Sequence, residues 1–218
     1  MAIITVSRQY GSGGSEVAER VARALGWRLY DNAVLEEVAQ RLRMTPAEVS
    51  AREERVPSLV ERMASAMALG APEMMPMVGD LAAQPSEERM VMMTQRVIED
   101  AVRAGPAVLV GRGAQCMLAS RTDALHVFCY APVEELVRYA VEVLDVPFHE
   151  AGRKVAEMNH QRESWVKHHF KRDWRDLANY DLCVNTSRIG LDGAAEMITR
   201  LARERFSLQV GRPAAGDL

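Results

Sequence analysis

Residues 3–25 constrain this chain more than any other stretch. An apolar run, Ile3-Ile4-Thr5-Val6, leads into Ser7-Arg8-Gln9-Tyr10-Gly11-Ser12-Gly13-Gly14-Ser15. Beyond it Val17, Val21, Ala22 and Leu25 recur at helical spacing, with Glu16, Glu19, Arg20 and Arg23 between them. The pattern predicts a buried strand, a glycine turn and an amphipathic helix. Glycines accept positive φ and let backbone amides crowd around an anion. The helix start adds unpaired N–H groups and a partial positive charge. Gly11, Ser12, Gly13, Gly14 and Ser15 are therefore candidate phosphate-binding residues. A plain tight turn is the alternative, but three glycines at the first strand-to-helix turn of an alternating chain favour phosphate.

The turn departs from the usual phosphate-loop pattern, G-x-x-x-x-G-K-[ST]. Gly13 fits the second glycine, and Ser15 fits the hydroxyl that would hold Mg²⁺. Arg8 stands at the first glycine and Gly14 at the lysine, which normally contacts the β- and γ-phosphates. Either Arg8 or a basic residue from elsewhere supplies that charge, or the loop binds a nucleotide without efficient chemistry.

Strand-like and helix-like segments alternate through the rest of the chain, which predicts a parallel sheet covered by helices. Strands are expected at residues 3–7, 27–30, 107–110, 125–130 and 182–185, and helices at 15–25, 86–103, 132–144 and 191–206. Asp31 can cap a further helix carrying Val34, Leu35, Val38 and Leu42. Thr45-Pro46-Ala47-Glu48 is a capping box that starts a short one. Residues 147–174 read as one long helix or two, dense in basic residues. One domain over residues 1–206 is expected, with core segments at about 1–45, 86–147 and 175–206. A helical insert falls at about 46–85, a lid at about 148–174 and a mobile tail at 207–218.

The 218 residues are 48% hydrophobic, enough for a sizeable core, and the net charge of −3 gives no bulk attraction to nucleic acid. No apolar run is long enough to span a membrane, and the opening Met-Ala-Ile-Ile-Thr-Val has no basic leader region, so a cytoplasmic protein is expected. Cys116, Cys129 and Cys183 form no CxxC pair and read as small thiols in a reducing compartment. His160, His168 and His169 lack metal-ligand spacing. Met63, Met67, Met74, Met75, Met77, Met90, Met92 and Met93 cluster in and beside the insert. Adaptable apolar surface of this kind suits a substrate cover or a homo-oligomer contact, although Met63 and Met67, one turn apart, read as ordinary helix core. Trp165 and Trp174 read as packing anchors.

Several segments, taken in order, resemble the cytidylate kinase-like proteins: ITVSRQYGSGGSEVAERVARALGWRLYD at 4–31, VLVGRGA at 108–114, HVFCYAP at 126–132 and NYDLCVNTSRIGLDGAAEMI at 179–198. The resemblance implies an α/β nucleoside monophosphate kinase-like three-layer fold. Its parts are a five-stranded parallel sheet, a phosphate loop, a monophosphate-binding helical insert and a basic mobile lid. Arg112 matches the arginine of the family's D-G-R-D motif, which meets the acceptor phosphate, while Val110 and Gly113 replace its acids. Asp31 matches an aspartate near the monophosphate pocket. Asn32 and Glu37 replace a serine and a substrate-binding arginine there. Arg162 falls where lid arginines are carried.

The implied activity is phosphoryl transfer from ATP, with Mg²⁺, to a nucleoside monophosphate, CMP or dCMP first. Arg8, Arg112, Arg162 and Lys167 are the catalytic candidates, Asp31 and Arg112 the substrate-binding ones, and Ser15 the metal ligand. No covalent intermediate is needed, since such transfers run on positioning and electrostatics. Lys167, Lys171 and Arg175 share a face if the lid helix is continuous, and Arg162 does not join them. Two alternatives stand beside this: a nucleotide-binding regulatory module without efficient catalysis, and a kinase for another small acceptor.

Overall fold

The computed structural model describes residues 2–31, 38–42, 44–45 and 87–207. The expectations for the insert, for Asn32, Val34, Leu35 and Glu37, for Met63 to Met77, and for the tail beyond Ser207 lie outside the described residues.

The alternation produces β1 (Ile3–Arg8), α1 (Gly14–Leu25), β2 (Arg28–Tyr30), α2 (Glu87–Ala104), β3 (Ala107–Val110), α3 (Ala114–Met117), β4 (Ala124–Tyr130), α4 (Val133–Glu142), α5 (Phe148–Phe170), β5 (Leu182–Asn185), α6 (Thr186–Ile189) and α7 (Leu191–Arg205). The five strands form one parallel sheet in the order β2-β3-β1-β4-β5. Ile4 lies opposite Val108 on one side and Leu125 on the other, so like residues share a face. Ile4, Val6, Val108, Val110, Leu125 and Val127 pack against α1 and α7 through Val17, Val21, Ala194 and Ile198. Ile3, Ala107, Leu109 and Ala124 face the other way, onto Ile98, Ala101 and Val102 of α2. Strands buried on both faces read as unbroken apolar runs, which is why these short segments are legible.

α1 begins at Gly13, which has φ 68°, and ends on Gly26, which has φ 67° and donates to the carbonyls of Ala22 and Arg23. α5 is one helix, but it stops at Phe170, because Lys171 turns left-handed at φ 56°. Trp174 and Arg175 therefore lie beyond it, and Lys167, Lys171 and Arg175 do not form the continuous face that a longer helix would give. The sheet topology bears directly on the site. β1 is central, and the chain runs to β2 and β3 on one side before crossing to β4 and β5. In open parallel sheets the crevice at such a switch point, outside the carboxyl ends of the strands, is where ligands lie.

Candidate functional site

Three things meet at that edge: the turn after β1, the turn after β3 and the inner face of α5. Ser7, Arg8, Gly111, Arg112, Gly113, Gln115, Met158, Gln161, Arg162, Trp165, Val166 and Trp174 enclose a cavity of about 100 Å³.

Arg8 explains the missing lysine. A Cβ on Gly14 would stand 2.5 Å from the Cβ of Arg8 and 3.0 Å from that of Cys129. The stem of Arg8 fills the space in which any side chain at position 14 would have to start. A Cβ on Gly111 would stand 2.0 Å from Arg8 Nη1. The Arg8 side chain thus runs over two bare glycines, across the ends of β1 and β3 towards β2. Its Nε lies 3.4 Å from Ser15 Oγ, and its Nη2 lies 3.5 Å from Asp31 Oδ1. Burial lowers the Arg8 pKa, and the Asp31 carboxylate opposes that shift.

Arg112 sits between Gly111 and Gly113, and all three residues have positive φ, 56° for Arg112 itself. A non-glycine residue held left-handed is the kind of local strain that concentrates at functional turns. The turn carries the Arg112 side chain to the cavity wall. Burial, and then the charge of Arg8, push its pKa down to about 10, with Asp31 opposing. Two guanidinium groups therefore repel each other in a poorly solvated space, an arrangement that an anion would relieve.

α5 contributes the third guanidinium. Arg162 Nη1 donates to the Arg8 carbonyl at 2.7 Å, and its Cζ lies 5.8 Å from the centre of the Tyr10 ring. Asn159 Oδ1 accepts the Tyr10 amide at 2.7 Å. Gln161 Nε2 lies 3.5 Å from Glu157 Oε1, a carboxylate oxygen that only accepts. That leaves Gln161 Oε1 buried with no partner among the described residues, beside the guanidinium groups.

The turn itself offers donors. Among the described residues, no hydrogen bond engages the backbone amides of Gly11, Gly13, Gly14 or Ser15, whereas Ser12 donates to the Gln9 carbonyl at 3.2 Å. This suits a phosphate. A resident divalent cation fits poorly. Ser15 is a single neutral oxygen, and Arg8 Nε faces it. Val110 is 2% exposed at the end of β3, where a carboxylate would be needed. No cluster of three or more metal-ligating side chains exists among the described residues. Among the described residues no ready-made magnesium site is present, which leaves the nucleotide itself as a carrier of the ion.

The structure thus brings Arg8, Arg112 and Arg162 to one cavity, with Asp31 and Ser15 beside the Arg8 side chain, while Gly11 and Ser12 line a separate depression with Tyr139 and Leu191. It does not bring Lys167 to the three arginines: that residue is exposed on α5 and is absent from the cavity wall. Trp165 and Trp174 are buried, and Trp174 packs edge-on against Phe128 with ring centres 5.2 Å apart, so they are both packing anchors and cavity wall. Asn159, Gln161 and Gln115 were not singled out by sequence reasoning. The usable signal, for Asn159 alone, was its place in the buried α5 stripe of Ala151, Val155, Met158, Trp165 and Val166, where it is the one polar residue.

The family model for the cytidylate kinase-like family matches residues 3–188. The chain belongs to that family. Among solved structures it is similar to an uncharacterized protein from Eubacterium ventriosum, with 19% identity, a TM-score of 0.66, and 93% of this chain and 98% of that one covered. It is also similar to shikimate kinase from Bacteroides thetaiotaomicron, with 13% identity, a TM-score of 0.51, and 92% and 97% covered. At these identities the likeness establishes the fold. No curated protein sequence matches the chain. No helix among the described residues is long and apolar enough to cross a membrane.

Proposed function

We propose that this member of the cytidylate kinase-like family transfers a phosphoryl group from a nucleoside triphosphate, ATP first, to a small anionic acceptor, with CMP or dCMP the leading candidate. The observation that carries the reading is the convergence of Arg8, Arg112 and Arg162 on one cavity, with the Arg8 side chain reaching Ser15 at the start of α1. In this reading Gly11, Ser12, Gly13, Gly14 and Ser15 hold the donor phosphates by backbone N–H groups and the start of α1. Arg8 supplies the fixed positive charge next to them. Arg112 holds the acceptor's anionic group, with Asp31 orienting the guanidinium of Arg8. Arg162 closes the site from α5. Charges held in place before the reaction lower the barrier, because they need not reorganise as charge spreads over the transferred group. Excluding water behind Trp165 and Trp174 strengthens each of these interactions.

A coupled assay with ATP, Mg²⁺ and a panel of nucleoside monophosphates, extended to small hydroxylated acids, tests this. Turnover with CMP or dCMP supports the leading acceptor, and turnover with another acceptor alone supports a kinase of different specificity. ATP binding without turnover of any acceptor would overturn the catalytic reading. The second reading, a nucleotide-binding regulatory module, is favoured by one specific observation: Val110 closes the end of β3 where an acidic residue would serve the reaction.

A further inference from the structure

A phosphate loop without its lysine has lost a long side chain that could tie it down. Gly14 cannot replace it, since the space beside its Cα is already filled by Arg8 and Cys129. The loop is nonetheless tied, from α5. Asn159 and Arg162 are three residues apart and so lie on one helix face. They take the two ends of a single tripeptide: Arg162 Nη1 donates to the carbonyl of Arg8, and Asn159 Oδ1 accepts the amide of Tyr10, each at 2.7 Å. Asn159 is only 5% exposed and sits in the apolar stripe with Val155 and Met158. A carboxamide at such a place is costly unless bonded, and its bond here is to the loop backbone.

We infer that Asn159 is a positioning residue. With Arg162 it latches Arg8-Gln9-Tyr10 to α5, withdraws the Tyr10 amide from phosphate binding, and so fixes the loop shape in which the amides of Gly11, Gly13, Gly14 and Ser15 remain open. The latch also sets the backbone from which the Arg8 side chain departs, so the seating of α5 and the direction of the Arg8 charge are coupled. Its consequence for nucleotide affinity rests on the phosphotransfer reading. Its consequence for the loop does not.

Amide hydrogen exchange, resolved by residue in the nucleotide-free full-length protein, tests the latch directly. Tyr10 is expected to be protected in the wild type. Asn159→Leu and the smaller Asn159→Ser should both speed Tyr10 exchange about tenfold or more, with Ile4 and Val6 unchanged. Asn159→Asp, which keeps an acceptor, should restore protection. An unprotected Tyr10 in the wild type, or unchanged exchange in a folded Leu or Ser variant, overturns the inference, and the wild-type measurement decides even if a variant fails to fold. Titration with ATP is the second readout: Asn159→Ser should weaken binding about tenfold relative to the wild type. Unchanged ATP affinity alongside a released Tyr10 amide overturns the coupling to phosphate binding. A wild type that binds no nucleotide, yet whose Tyr10 amide behaves as expected, refutes the phosphotransfer reading and leaves the latch standing.

Discussion

Two polar clusters share this sheet, and they are balanced in opposite ways. At the carboxyl edge Arg8 and Arg112 repel each other and share Asp31, and burial lowers the pKa of both cations. Just before β5, Asp181 Oδ2 accepts the His126 amide at 2.7 Å and Asp181 Oδ1 takes Arg205 Nη1 at 2.8 Å, while Thr5 Oγ1 and His126 Nδ1 lie 2.7 Å apart. Burial works against the Asp181 carboxylate, yet the His126 amide and Arg205 hold its pKa below the usual value. One cluster stabilises its ionised groups and the other penalises them. The first arrangement serves the fold. The second sets two cations beside one carboxylate, an arrangement that the proposed phosphate site would use.

Removing a member of each cluster should therefore have opposite consequences. Arg8→Met keeps the stem that packs on Gly14 and deletes the charge. Turnover measured as kcat/KM is expected to fall about 10²- to 10³-fold, the usual cost of losing one preorganised electrostatic group. Its urea midpoint should hold or rise, because a poorly solvated cation beside Arg112 has gone. A large loss of stability in this variant would mean that the carboxyl edge is a structural cluster like the other.

Gly14→Lys sharpens the same point from the side of the loop. The lysine of the usual phosphate-loop pattern should not rescue anything in the presence of Arg8. It should destabilise by about 1–3 kcal/mol, as overpacking of a close-packed site does. Combining it with Arg8→Gly removes the atom that its Cβ would meet at 2.5 Å, and much of that loss should return. Urea denaturation of the two single variants and the double variant gives the coupling. A Gly14→Lys protein as stable as wild type would show that Arg8 is not what excludes the lysine.

On the balanced side, Asp181→Ala should cost about 1–2 kcal/mol in the same measurement, since it leaves the His126 amide and Arg205 without their carboxylate in a half-buried place where water can partly substitute. Nucleotide affinity should not change. A change there without a change in stability would connect the two clusters and undo the contrast.

Most of the fold was legible because its strands are buried on both faces and its helices carry one apolar stripe each. The start of α5 was legible too, at Pro147, while its end was not. Lys171 adopts a left-handed turn with no glycine to announce it, so periodicity alone carried the expected helix on to Trp174. The glycine turn, Arg8, Arg112 and Arg162 were readable as local pattern and family resemblance. Their mutual geometry was not, because the clash that links Arg8 to Gly14 and Gly111 joins three separate points of the chain. Asn159 was hidden for a related reason: its partner is a backbone amide 149 residues away, and backbone donors leave no mark in a sequence. Lys167 shows the converse. A basic run on a helix looks like a lid, but only the face that carries Arg162 turns inward.

The smallest expected effect separates the clusters by pH. Burial lowers the His126 pKa, Asp181 opposes that, and Arg205 and Arg172 act in the same direction as burial. A histidine whose folded pKa lies below its unfolded value of about 6.5 is protonated more readily in the unfolded chain. Its contribution to stability is complete above pH 6.5 and is lost as the pH falls from there through the folded pKa. The slope in that window cannot exceed about 1.4 kcal/mol per pH unit for one proton. His126→Gln, which keeps the backbone amide for Asp181, should flatten the slope below about pH 6.5 in urea titrations. Arg8 and Arg112 remain cationic throughout that range, so Arg8→Met should leave the slope alone. If His126→Gln left the slope intact and Arg8→Met removed it, the acid sensitivity would belong to the carboxyl edge, and the division between a cluster that serves the fold and one that awaits an anion would fail.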